Sequence, residues 1–181
     1  GCSVIFDFRA ADLVLGGEGA PLAPNMDVAL LGQVNGWRAV VNLGGIANLT
    51  LIPPKHGPDR CAAAFGWDCG PANTLIDFAV QKISSGKLSY DLDGLIGAQG
   101  YVDEEIIELW TKEPFFQKPP PKSTGRETFG VNDLENRIQE QPEIKGDNLV
   151  ATLTAFTAAV VANDLSNVRL SKSIYPIELL V

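Results

Sequence analysis

The chain has 181 residues, 45% apolar and 20% charged, as expected of a globular protein with a core of its own. A net charge of −8 and a pI of about 4.6 argue against a nucleic-acid or anionic-membrane surface, because both need clustered Lys and Arg. Three cysteines without C-x-x-C spacing and a single histidine, His56 in a Pro- and Gly-rich stretch, argue against a Cys/His metal site and against histidine-dependent hydrolysis. No apolar run reaches the roughly 18 residues a membrane helix needs. The cysteines read as reduced thiols of a cytoplasmic protein.

Residues 2–8 are short, β-branched and aromatic, and predict a buried strand. Asp7-Phe8-Arg9 follows it. Arg9 could clamp an anionic substrate group in a forked geometry, or pair on the surface with Asp7 or Asp12. Gly16 to Pro21 is a glycine-rich loop, and residues 25–32 form a short helix. Arg38–Asn42 and Asn48–Ile52 are β-rich runs around Leu43-Gly44-Gly45-Ile46-Ala47, which predicts a hairpin with a Gly-Gly bend. Paired glycines let a backbone approach a ligand and offer it N–H groups, as a phosphate chain requires; taken alone, the motif reads first as a plain hairpin turn. There is no Walker-type G-x-x-x-x-G-K-[ST].

Ala62–Phe65 is a short strand candidate leading into a turn, Gly66-Trp67-Asp68-Cys69-Gly70-Pro71. Asp68 then lies at a strand end, just ahead of a helix N-terminus, where ligands of open α/β sheets collect. It is either a proton acceptor or a helix cap. Pro71 suits the first turn of a helix over 72–84, with Ile76, Ala79, Val80 and Ile83 on one face and Gly86 at its end. A helix over 101–112 carries Val102, Ile106, Leu109 and Trp110. Phe115 to Glu127 is an extended Pro-rich loop. Its Lys122-Ser123-Thr124-Gly125-Arg126-Glu127 either touches a phosphate or sugar or is solvated. A short helix near 132–140 takes Asn132 as N-cap. The last helix runs from Asp147 to Asn167, with Leu149, Leu153, Phe156, Val160 and Leu165 along one side. Strands followed by helices give an α/β fold. Apolar, strand-like runs at both ends lead to the expectation of a central piece of a longer chain.

In their order, Asp7-Phe8-Arg9, Gly16 to Pro24, Asn42 to Thr50, Asp68 to Asn73 and Pro121 to Glu127 resemble the anhydro-N-acetylmuramic acid kinases. The resemblance implies a partial actin/Hsp70/sugar-kinase-like, ribonuclease H-like α/β fold, truncated at both ends. Residues 1–36 would close the N-terminal lobe with its substrate loop. Residues 37–181 would begin the C-terminal lobe with its phosphate hairpin and the Asp68 turn. It implies an enzyme of amino-sugar and peptidoglycan recycling that hydrolyses the 1,6-anhydro bridge of anhydro-N-acetylmuramic acid and phosphorylates O6 from ATP with Mg2+. Asp68 would be the general base, Arg9, Gly66 and Asp68 the sugar-binding residues, and Asn42, Gly44, Gly45 and Asn48 the nucleotide-binding ones. No metal ligand is assigned, and a homodimer of the full-length protein stays open.

Two positions depart from the family, which usually has Thr at Cys69 and Gly at Ala72; a methyl at 72 is expected to crowd a close backbone approach. The family's first phosphate loop, its adenosine-binding Gly-Gly-Gly and an acidic sugar-binding residue have no counterpart here, so the 181-residue piece alone is expected to be inactive. The alternatives are a non-catalytic remnant or scaffold of the same fold, or an actin-like kinase for another small sugar.

Overall fold

The computed structural model describes residues 3–4, 6–17, 24–32 and 34–181. Helix α1 (Phe8–Val14) and helix α2 (Pro24–Leu31) precede the sheet. The strand expected over 2–8 is not formed by its described residues. Val4 and Phe6 are exposed, and Asp7, at φ 61°, turns the chain directly into α1. An apolar run without a neighbouring strand has nothing to complete its ladder. Most of the Gly16–Pro21 loop lies outside the described residues, while α2 matches the predicted short helix.

Strands β1 (Trp37–Leu43), β2 (Ile46–Ile52) and β3 (Phe65–Pro71) form an antiparallel meander, and β4 (Pro176–Leu180) adds in parallel beside β1. The strand order is β3-β2-β1-β4. Three antiparallel strands followed by a helical crossover to a parallel fourth make a ribonuclease H-like half of a sugar-kinase-like fold, as expected. The Gly44-Gly45 hairpin forms as predicted, with Leu43 opposite Ala47 and Asn42 opposite Asn48.

β3 differs from expectation. The segment read as a turn is the strand itself, and Asp68 sits inside it rather than at its end. Gly66, Gly70 and Pro71 look like turn residues, but Phe65, Trp67 and Cys69 alternate into the core and hold the segment against β2. The glycines mark an irregular strand instead: Gly70 pairs with Ala47 and Asp68 with Asn48, so Cys69 is the extra residue of a bulge.

Helix α3 (Asn73–Ile83) buries Leu75, Ala79 and Val80, and Gly86 (φ 79°) closes its end by donating to Gln81 O. Its N-cap is Ala72; Pro71 remains in the strand. Helix α4 (Glu104–Thr111) starts later than predicted because Asp103 caps it, accepting from Ile106 N. Only Ile106 and Trp110 of the expected stripe are buried there; Val102 and Leu109 are 45% and 51% exposed. Helix α5 (Val131–Glu140) is capped at Gly130, not Asn132. Helix α6 (Asp147–Lys172) is longer than predicted, and by length and composition alone would suffice to cross a membrane. Here Leu149, Leu153, Phe156 and Val160 pack with Leu49, Trp67 and Trp110 in one core, so α6 is the helix on which the sheet rests.

Candidate active site

Alternation along the strands sends Ala39, Val41, Leu49, Trp67 and Cys69 to the α6 face of the sheet, where they are buried. The opposite face carries a polar row, because Asn42 pairs with Asn48 and Asn48 with Asp68. Cross-strand partners share a face. Gly66, opposite Thr50, lies two residues along on the same side. Four of the residues singled out from the sequence, Asn42, Asn48, Gly66 and Asp68, are thus gathered on one face. Arg9 is exposed on α1, and no hydrogen bond or ion pair joins it to this row among the described residues.

Asp68 is only 4% exposed. Its Oδ2 accepts from Ser123 Oγ at 3.1 Å and from Thr124 N–H at 3.0 Å. Oδ1 takes no donor among the described residues. Its backbone N–H donates to Lys122 O at 2.9 Å, so residues 122–124 run along the open edge of β3. Asp68 does not cap α3. The carboxylate is held by one oxygen in a fixed orientation, the arrangement a proton acceptor needs.

The loop is anchored from below. Lys122 Nζ and Asp164 Oδ1 lie 2.9 Å apart with side chains 3% and 2% exposed, and Trp67 Nε1 donates to Asp164 Oδ2 at 2.9 Å. Burial raises the Cys69 thiol far above its ordinary range, and the negative charge of Asp164 adds to the shift. Lys122 Nζ also stands 4.9 Å from the centroid of the Phe115 ring. The Lys122–Glu127 stretch is therefore not a solvated loop at its start. Asp164 left one trace in the sequence: it falls in the i, i+4 series Phe156, Val160, Asp164, Val168, a lone charge in a buried apolar stripe.

The Gly44-Gly45 hairpin docks on α3 by its carbonyls. Gly45 O accepts from Ala72 N and Thr74 N, Gly44 O accepts from Asn73 N, and Asn73 Nδ2 donates to Leu43 O and Gly44 O. The first N–H groups of α3, those of Ala72, Asn73 and Thr74, are thus already engaged by the hairpin. The Gly44 and Gly45 amides themselves have no acceptor among the described residues. A Cβ at Gly45 would stand 2.6 Å from Thr74 Oγ1, so only glycine allows this approach. Beside the hairpin is a cavity of about 560 Å3, lined by Gly44, Gly45, Asn73, Asp77, Tyr90 and Arg126. Partial burial raises the Asp77 carboxyl, and the Arg126 guanidinium opposes that shift.

Residues 1–175 match the anhydro-N-acetylmuramic acid kinase family. The chain belongs to the anhydro-N-acetylmuramic acid kinase family. Among its relatives, proteins named anhydro-N-acetylmuramic acid kinase from Prochlorococcus marinus strain MIT 9313 and strain MIT 9211 are 64% and 58% identical over 178 and 179 residues. The protein of that name from Synechococcus sp. strain WH7803 is 56% identical over 181 residues. These alignments take in 98%, 99% and 100% of this chain and 47% of each relative. The chain thus spans about half the length of the curated relatives it matches.

The two departures from the family pattern are accommodated. Cys69 is fully buried on the core face, pointing away from the row that holds Asp68. Ala72 has φ −124°, outside the left-handed region, and its methyl joins the core beside Leu75 and Phe156 rather than crowding the site. Gly70 is the position that demands glycine, with φ 151° and a virtual Cβ 2.6 Å from Phe116 Cε1. Among the described residues no three His, Cys, Asp or Glu side chains converge as a metal cage.

Proposed function

We propose that this chain carries the catalytic carboxylate of an ATP-dependent kinase of small amino sugars. The full-length protein hydrolyses the 1,6-anhydro bridge of anhydro-N-acetylmuramic acid and phosphorylates O6. Asp68 is the general base that takes the proton from the attacking water. The observation that carries this reading is the orientation of Asp68, fixed through Oδ2 by Ser123 and Thr124, with Oδ1 unengaged among the described residues and on the same face as Asn48 and Asn42. The free amides of Gly44 and Gly45 support a role in holding the nucleotide phosphates. Mg2+ arrives on the phosphates of ATP. Residues 1–36 close one lobe and 37–181 open the next, so that Arg9 meets the carboxylate-bearing sugar across a cleft. The site of action is the cytoplasm.

The test is ADP release on addition of anhydro-N-acetylmuramic acid and Mg-ATP to a protein of the relatives' length. Sugar-dependent ADP release supports the reading, and its absence from a folded protein that binds both ligands contradicts it. The 181-residue chain by itself is expected to give no turnover, because the first phosphate loop and the adenosine segment of the family lie outside it.

A further inference from the structure

We propose that the buried Lys122–Asp164 ion pair positions Asp68, so that both residues serve the reaction without touching substrate. The inference rests on the reading of Asp68 as base. A buried ion pair generally stabilises a fold no better than apolar residues of the same volume, so its presence calls for a role in specifying geometry. Here the geometry specified is that of one residue. The residue before Asp68 in the strand, Trp67, is tied to Asp164 through Nε1 at 2.9 Å. Lys122, whose Nζ meets the other oxygen of Asp164, accepts the Asp68 N–H with its carbonyl. The next two residues, Ser123 and Thr124, supply both donors to Asp68 Oδ2.

One carboxylate on α6 thus holds both the strand that carries the base, through Trp67, and the loop that aims its side chain, through Lys122. Residues 122–125 belong to no helix or strand, so no ladder of their own would keep those donors in register. Strand alternation sends Trp67 to Asp164 while Asp68 faces the other way, and the bulge follows at Cys69.

The test uses the full-length kinase with the double variant Lys122→Met/Asp164→Leu, whose apolar side chains avoid an unpaired buried charge, and with Ser123→Ala, a milder change in the half-buried part of the loop. Displacing a base by a fraction of its hydrogen-bond length is expected to lower kcat about ten- to a hundredfold in the double variant and about threefold in Ser123→Ala, with KM for sugar and ATP unchanged. In an Asp68→Asn background neither change lowers the residual rate further, because the pair acts only through Asp68. Wild-type kcat in folded Lys122→Met/Asp164→Leu and Ser123→Ala overturns the proposal while leaving the base reading intact. So does a loss of equal size in the Asp68→Asn background, which a merely structural pair would give. Wild-type activity of Asp68→Asn itself overturns the base reading, and this proposal with it.

Discussion

Asp164 stands in the middle of a buried helix face, where an uncompensated carboxylate would cost several kcal/mol. It is met by an ammonium and an indole N–H. The Cys69 thiol, whose titration Asp164 influences, carries a consequence of its own. Held protonated by burial and by Asp164, Cys69 lacks the thiolate that reacts with alkylating agents, whereas Cys61 is exposed. Native-state iodoacetamide labelling read by peptide mass spectrometry should modify Cys61 and spare Cys69 until the protein is unfolded. Linkage gives the pH sign. Above about pH 8.5 the unfolded thiol loses its proton and the folded one keeps it, so the unfolded state binds fewer protons and stability falls as pH rises. Cys69→Thr, which does not titrate, should remove that part of the alkaline decline in urea midpoints; an identical decline in both proteins would refute the protonated-thiol account.

At the scale of elements, β3 and the hairpin decide where the site lies. Gly70 combines φ 151° with a virtual Cβ 2.6 Å from Phe116 Cε1, so Gly70→Ala should cost about 2–4 kcal/mol in urea unfolding, while Gly86→Ala, with open space around it, should cost less. Equal costs would mean that contact with Phe116 is irrelevant. The hairpin and α3 were legible because each has a local signature, a Gly-Gly bend between β-rich runs and an apolar stripe with a Gly stop; α6 showed its stripe but no stop, and it runs on to Lys172. β3 was not, since its glycines and proline spell a turn and only pairing with β2 makes it a strand. The run over 2–8 failed for the converse reason, strand-like residues without a partner. Asp68 was visible as an acid beside a helix, but the devices that orient it were not. Ser123 and Thr124 are 55 and 56 residues away, and Asp164 reaches Trp67 across 97 residues. No local pattern encodes such contacts.

For the whole molecule, the sheet divides its labour by face. One side rests on α6 and makes the core; the other gathers Asn42, Asn48 and Asp68. In the proposed reaction Asp68 takes the proton of the attacking water. The direct measurement is steady-state ADP release by the full-length protein with Asp68→Asn, alongside KM for sugar and ATP and a thermal midpoint. Loss of the proton acceptor should lower kcat by about a hundred- to ten-thousandfold with the midpoint and both KM values nearly unchanged. A folded Asp68→Asn protein turning over within about threefold of wild type, far short of the loss of a general base, would contradict the account.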